Sequence, residues 1–329
     1  MRMLKVSFLI GVLNEIDRLP RAVDSIRKQD YPGESIEIVV ADGGSTDGTI
    51  EYAESAGCRV VHNPLRRCEP GLALGYAQAS GDVAVFMAAD NVLHDERFVR
   101  QIVAPFQDAN VAAAMPRVIN TGEDCITTRY LNDFTDPFSH FVYGASANPS
   151  TFARAYPVKR STGEYVIYDF KDRPRPLVAL AQAMALRTGL PRRAGTEEDD
   201  IAPILDIVER GGDIAYVPAA QVEHHSVAGL SDYLSKMGPR IAERLRSSDH
   251  ITWKRIDRRR DERQVRAYVW PFYAVSVIFP ALVAAYGLAR DRKLTWAYHP
   301  IISFALASTL LRQMALHALA SPSRRRSPT

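Results

Sequence analysis

The string Val39-Val40-Ala41-Asp42-Gly43-Gly44-Ser45-Thr46-Asp47-Gly48-Thr49 ends an apolar run with a carboxylate and two glycines. An acid at the end of a buried strand can accept hydrogen bonds from a base or a ribose. The glycines let the backbone come close, and Ser45, Thr46 and Asp47 suit a turn and a helix cap. Asn14-Glu15 and Asp90-Asn91 follow two other apolar runs in the same way. Farther along stands the acidic run Glu197-Glu198-Asp199-Asp200, whose charges favour the N-terminus of a following helix. His224-His225 closes a later strand-like stretch, where histidine serves structure as readily as chemistry.

These groups need a scaffold, and the flanking pattern supplies one. Val6–Ile10, Ile36–Val40, Arg59–Val61 and Val83–Met87 read as short buried strands. Between them, helices are expected over Leu19–Lys28, Thr49–Ala56 and Leu72–Ala79, the first with Leu19, Ala22, Val23 and Ile26 on one face. Alternating strands and helices predict a mostly parallel sheet covered on both faces, with ligands at the carboxyl ends of the strands. The polar clusters sit at those ends. From about Asn120 to Gly163 the chain is rich in aromatic residues, Ser, Thr and Asn with weak periodicity, and is expected to be irregular cover over a site. Ala179–Thr188 reads as a strand or a short helix. A helix follows, with Ile201, Ile204, Leu205 and Val208 on one face; Gly211-Gly212 ends it, and Ile214–Val217 is a strand.

The last part differs in kind. Tyr268–Ala289 carries no charged side chain and has about the 20 residues a bilayer crossing needs. Trp296–Ala320 is also apolar but contains Arg312, Gln313 and His317. Pro271, Pro280 and Pro300 are tolerated in membrane helices, and Trp270, Tyr273, Trp296 and Tyr298 sit where interfacial aromatics belong. A transmembrane helical hairpin over 268–320 is expected. A basic linker would precede it over 251–267 and a basic tail would follow over 321–329, both on the cytoplasmic side. Arg290, Arg292 and Lys293 in its loop argue against it, and the alternatives are a helical pair in the interface or a buried hairpin.

Composition excludes several classes. With 41 Lys+Arg against 38 Asp+Glu, the net charge of +3 is too small to make nucleic acid the main partner. Hydrophobic residues at 47% and charged residues at 24% exclude wholesale disorder. Three unclustered cysteines give neither a disulfide framework nor a four-ligand zinc site, and fit reduced thiols in the cytosol. The first apolar run is too short for a signal peptide, so the N-terminal part is expected in the cytoplasm.

Val6-Ser-Phe-Leu-Ile-Gly-Val-Leu-Asn-Glu15 followed by Ala41–Thr49 resembles the opening of family-2 glycosyltransferases of GT-A fold. Gly81–Asp90 resembles the strand that leads into that family's DXD motif. Glu197–Asp200, Tyr216-Val-Pro218 and Val222-Glu-His-His225 resemble its acidic motif and closing strand. The likeness covers roughly 4–245 and implies a single GT-A domain over 1–250. The apolar tail resembles polymer-building and lipid-linked members, among them the succinoglycan-type glucosyltransferases.

The resemblance implies an inverting transferase. It would move a sugar from a nucleotide-diphosphate donor, a UDP-sugar foremost, to a lipid-linked or polysaccharide acceptor at the cytoplasmic face of the cell membrane. Asp42 would contact the base, flanked by Val12, Asn14 and Glu15. Asp90, on the last DXD carboxylate, would hold Mg²⁺ or Mn²⁺, with His225 or its neighbour His224 completing the shell. Asp199 would be the general base, with Glu198 and Asp200 as alternatives. Arg66 or Arg67, and Arg240, would face the diphosphate. The chain departs from the family's pattern at Ala88, where the first DXD acid is missing, and at Gly43, where many members have a second Asp. Ala88 supports the rival reading, a catalytically silent nucleotide-sugar-binding subunit of an assembly complex. A nucleotidyltransferase would need a Gly-rich phosphate loop after the first strand, which Val12-Leu-Asn-Glu15 does not provide.

Overall fold

The computed structural model describes residues 3–171, 173, 176–191, 201–246 and 263–320. In chain order these form β1 (Val6–Val12), α1 (Leu19–Arg27), β2 (Ile36–Asp42), α2 (Thr49–Ser55), β3 (Arg59–His62) and α3 (Cys68–Gln78). There follow β4 (Val83–Ala88), β5 (Asn91–Leu93), α4 (Phe98–Val103), β6 (Val111–Ile119), α5 (Ile126–Phe134) and α6 (Pro137–Tyr143). Next are β7 (Val158–Ser161), β8 (Val166–Tyr168), β9 (Gln182–Arg187), α7 (Ala202–Glu209) and β10 (Asp213–His224). The last four helices are α8 (Leu230–Arg246), α9 (Arg263–Val275), α10 (Ile278–Asp291) and α11 (His299–Ala320). The chain divides into two compact units, Met1–Thr121 with Ala145–Ser226, and Gly122–Gly144 with Val227–Thr329. This division does not follow the expected 1–250 block: the second unit takes an insertion after β6 and starts again just after β10.

The first unit is built on a ten-stranded mixed sheet of order β3-β2-β1-β4-β9-β6-β10-β8-β7, with β5 also paired to β10. The four strands expected from apolar runs form its parallel half, with β1 between β2 and β4 and β3 outside β2. Beyond β4 the sheet changes character. β9 enters antiparallel between β4 and β6, and settles the strand-or-helix ambiguity of Ala179–Thr188 as a strand. Both faces of the parallel half are covered, as alternation along β1 requires. Val6, Phe8, Ile10 and Val12 face one way, onto Leu19, Ala22, Val23 and Ile26 of α1. Leu9 faces the other way with Leu72, Phe86 and Met184. α3 lies close over β2 because position 71 is glycine. A Cβ there would stand 2.9 Å from the Asn63 amide nitrogen and 3.2 Å from the Ala41 Cβ.

The second unit is helical and aromatic. The segment expected as irregular cover instead supplies α5 and α6, whose aromatic residues find partners far along the chain. Phe134 packs on Trp296 with ring centroids 4.2 Å apart, Phe138 on Trp270 at 5.3 Å and Phe141 on Tyr273 at 4.4 Å. At the centre, the buried His299 ring joins two tyrosines: Tyr130 Oη lies 2.5 Å from Nδ1 and Tyr273 Oη 2.9 Å from Nε2. A neutral imidazole has one donor and one acceptor, so this chain satisfies both ring nitrogens and fixes the register of α5, α9 and α11.

The expected helical hairpin takes a different form. The uncharged run at Tyr268–Ala289 is not one straight span: α9 and α10 meet at 97° across Ser276–Val277. Ser276 caps the break through its hydroxyl, which accepts from the Phe279 amide at 3.4 Å, and Val277 takes a φ of 58°. With 13 and 14 residues, α9 and α10 are each only about 20 Å long, against about 30 Å of hydrocarbon. The one described helix long and apolar enough to cross a membrane is the Leu294–Ala320 stretch containing α11.

Candidate active site

At the carboxyl ends of β1 and β2, two loops are stitched into one surface. The Asn14 amide donates to Ser45 Oγ at 2.8 Å, and Asn14 Oδ1 accepts from the Thr46 amide at 2.9 Å. The Glu15 amide donates to Thr49 Oγ1 at 2.9 Å, and the Ile16 amide to Asp47 Oδ2 at 3.2 Å. The Thr49 hydroxyl, with the backbone amides of Ile16 and Thr49, holds the Asp47 carboxyl below its ordinary range. Asn14, Gly44 and Gly48 in these turns, and Arg66 in the turn after β3, have positive φ, a conformation costly for Asn14 and Arg66 that persists only where the surroundings enforce it.

Asp42 is 2% exposed. Its carboxylate accepts from the amides of Gly44 at 2.6 Å and Ser45 at 3.0 Å, and from the Ser45 hydroxyl. A carboxylate has about four acceptor sites, so this turn leaves about one for another donor. Val12 is buried and its carbonyl accepts from the Gly43 amide at 2.9 Å. The departure at position 43 has a steric reason. A Cβ on Gly43 would lie 3.1 Å from Arg66 Cα and 3.4 Å from the Val12 carbonyl oxygen. Gly43→Asp is therefore expected to displace the Arg66 turn and to cost about 1–2 kcal/mol, read as a lower denaturant midpoint at unchanged slope. Arg66 and Arg67 are exposed where α3 begins.

β2 and β4 both pair with β1, so Asp42 and the Asp90 turn stand about two strand spacings apart, about 10 Å. Asp90 follows β4 with its side chain 18% exposed. Its carbonyl accepts from the His225 amide at 3.0 Å, and its Oδ1 accepts from Asn91 Nδ2 at 3.2 Å. The fully buried Asn91 also accepts from the Ala88 amide at 3.3 Å, so one side chain ties the end of β4 to the acid. The side chain at 90 is thus open on one side and held on the other.

The two histidines part company. His224 Nε2 lies 3.8 Å from Asp90 Oδ2, whereas His225 Nε2 lies 3.2 Å from Glu223 Oε2. Glu223, almost buried, also meets His94 Nδ1 at 2.9 Å and Arg21 at 3.3 Å. The sequence reading missed Asn91 and Glu223 as supports of the site. Asn91 had a signal in its place beside Asp90, but Glu223 had none, since its partners are Arg21 on α1, His94 just after β5 and His225 just after its own strand.

No group of three His, Cys, Asp or Glu able to hold a metal by itself occurs among the described residues. One carboxylate with imidazoles nearby does fit a hard cation whose remaining ligands are phosphate oxygens and water. The donor set therefore suits a metal that arrives with a diphosphate. Glu198, Asp199 and Asp200 lie outside the described residues. In sequence they immediately precede α7, whose Ile204 and Ile207 are anchored in the core. Arg240 lies on α8, exposed, in the second unit.

Comparison with known proteins gives this arrangement a relationship. Residues 7–168 match the family described as "Glycosyl transferase family 2". The chain is 32% identical over 120 residues to an uncharacterized glycosyltransferase of Nostoc sp., covering 34% of this chain and 36% of that protein. It is 31% identical over 130 residues to glucosyl-3-phosphoglycerate synthase of Mycolicibacterium paratuberculosis, covering 36% and 39%. The matches thus span little more than a third of these relatives. Among solved structures, mannosyltransferase PcManGT from Pyrobaculum calidifontis, in complex with GDP-Man and Mn²⁺, superposes with a TM-score of 0.56. That likeness covers 95% of this chain and 88% of that one at 15% identity, and it speaks to fold alone. Residues 7–168, just under half of the chain, thus match the family-2 glycosyltransferase domain, and the fold is a GT-A-type mixed sheet with helices on its faces.

Proposed function

We propose that the chain is an inverting glycosyltransferase that moves a sugar from a nucleotide-diphosphate donor to a lipid-linked or polysaccharide acceptor at the cytoplasmic face of the cell membrane. The observation that carries this reading is the pair of acids at the carboxyl ends of β2 and β4. Asp42 closes a turn that can receive a nucleoside, and Asp90 stands about 10 Å away, partly open and held by Asn91. Mn²⁺ in the mannosyltransferase complex and the family-2 domain support it.

In this reading Asp42, with Val12, Asn14 and Glu15, holds the nucleoside, and Arg66 or Arg67 and Arg240 meet the diphosphate. Asp90 holds Mg²⁺ or Mn²⁺ with His225, or with His224, whose ring lies nearer the acid. The cation supplies charge neutralisation on the departing diphosphate. Asp199, or Glu198 or Asp200 beside it, takes the proton from the acceptor hydroxyl as that oxygen bonds to the anomeric carbon and the bond to the diphosphate breaks. Glu223 accepts from His225 Nε2, which sets the ring's tautomer and leaves the Nδ1 lone pair as the metal-binding one. Glu223→Ala is expected to weaken Mn²⁺ binding in the presence of nucleotide about tenfold. Isothermal titration reads this directly, and Arg21→Ala, which removes another partner of the same carboxylate, should leave the affinity near wild type.

The experiment is a donor panel. Membranes containing the chain are incubated with radiolabelled UDP- and GDP-sugars and Mn²⁺, and label is followed into the organic phase. One donor should give metal-dependent, lipid-extractable label. The Ala88 departure favours a second reading, a silent nucleotide-sugar-binding subunit. Nucleotide binding with no transfer from any donor would decide for that subunit.

A further inference from the structure

The second unit closes on itself in a way that limits how its apolar helices can meet a bilayer. α9 runs beside α6: Ala267 packs with Val142, and Trp270 and Tyr273 pack on Phe138 and Phe141. α10 comes back to α5. Lys293 pairs with Asp133 at 2.6 Å, and Thr295 donates to the same carboxylate at 2.7 Å. Both arms of the bent pair are therefore held on this unit along one side, and across the 97° elbow at Ser276–Val277 their other faces turn outward as a V. Tyr268, Phe272, Ile278, Phe279, Leu282 and Tyr286 on the V are each at least 59% exposed, an apolar surface that water alone does not explain. Exposed Arg266 and Arg292 stand at the two open ends. An apolar apex with cationic shoulders matches a leaflet of anionic lipid in both polarity and charge.

α11 passes the length and composition test for a span, but its neighbours argue otherwise. Gly238, midway along α8, faces it closely: a Cβ there would lie 3.5 Å from Gln313 Nε2 and 4.0 Å from Thr309 Cγ2. α8 carries Asp232, Lys236, Arg240, Glu243, Arg244 and Arg246, which hydrocarbon excludes. The residues beyond Gln313 give about 10 Å of helix, too little to traverse about 30 Å. Connectivity fixes the side. Only residues 120–125 join β6 to α5 and 225–229 join β10 to α8, too few to thread a bilayer. The turn between α10 and α11 contacts α5, so it shares that side.

We propose that the second unit docks on one leaflet of an anionic membrane through the α9–α10 elbow, and that no segment between 263 and 320 crosses the bilayer. This rests on the reading of the chain as a membrane enzyme, and the test separates the two. Flotation reports attachment, and labelling reports its one-sided form. With Cys68 and Cys125 replaced by Ser, single cysteines are introduced as Arg292→Cys, Ala320→Cys and, on α2, Glu54→Cys. Each is exposed to a membrane-impermeant maleimide in right-side-out and in inside-out vesicles. All three should react from the same face. Reaction of Arg292→Cys or Ala320→Cys from the face opposite to Glu54→Cys overturns the proposal. In the second arm, the purified chain should float with vesicles rich in phosphatidylglycerol. The paired change Phe272→Glu and Phe279→Glu should cut the floated fraction about tenfold with unchanged circular dichroism. A chain that does not float and is a stable dimer without lipid has this face covered by a second copy, which also overturns it.

Discussion

Asp90→Asn should cut sugar transfer about a thousandfold or more while the chain stays folded. Asparagine keeps the size of the side chain, and its Oδ1 can still accept from Asn91 Nδ2, so the turn after β4 survives. The formal charge that attracts the cation is lost. With no first DXD acid, since Ala88 occupies that position, there is no second carboxylate in the motif to compensate. The loss should fall on kcat more than on KM, because charge on the diphosphate grows in the transition state. Wild-type transfer should likewise stop in excess EDTA and return with Mn²⁺. A fully active Asp90→Asn chain, or EDTA-insensitive transfer, would remove the metal from the mechanism.

The second large effect concerns stability in acid. The His140 ring packs against Phe134 and Trp296. Burial, helped by the positive charge of Arg290, pushes its pKa down to about 4, against the opposing pull of the Phe134 backbone and Asp291. The unfolded chain takes up this proton near pH 6.5 and the folded chain only near 4. The unfolded state therefore binds more protons between those values, and stability rises with pH across that window. The contribution is complete above about pH 6.5. It is lost at about 1.4 kcal/mol per pH unit on acidification, to a total of up to about 3 kcal/mol near pH 4. Urea unfolding followed by the fluorescence of Trp270 and Trp296, both buried in this unit, should show a lower midpoint at pH 5 than at pH 7.5. His140→Phe should make that dependence shallower. An identical slope in the variant would place the sensitivity elsewhere.

The parallel half of the sheet was legible because strands buried on both faces read as nearly continuous apolar runs, as Val83–Met87 and, but for Ser7, Val6–Ile10 do. The loops at their ends were legible because a turn that needs positive φ leaves glycines beside its acids, as at Asp42 and Gly44. What escaped depends on distant partners. Gln182–Arg187 is short enough to be a helix or a strand, and only insertion between β4 and β6 decides it. Tyr130, Phe134 and Phe138 looked like cover for a site because their partners, Trp270, Trp296 and His299, lie more than 130 residues away. The elbow at Ser276–Val277 escaped for the opposite reason: 22 uncharged residues satisfy a hydropathy window whether or not the backbone turns. Glu223 read as one strand residue among others until Arg21, His94 and His225 converged on it.

The central claim is that a cation is held jointly by Asp90 and a nucleotide diphosphate, and titration of Mn²⁺ followed by electron paramagnetic resonance tests it most directly. The wild-type chain should bind Mn²⁺ weakly alone and at least about tenfold more tightly with UDP or GDP present, and Asp90→Asn should abolish that gain. Mn²⁺ binding that is indifferent to the nucleotide, or a gain that survives in Asp90→Asn, would contradict it.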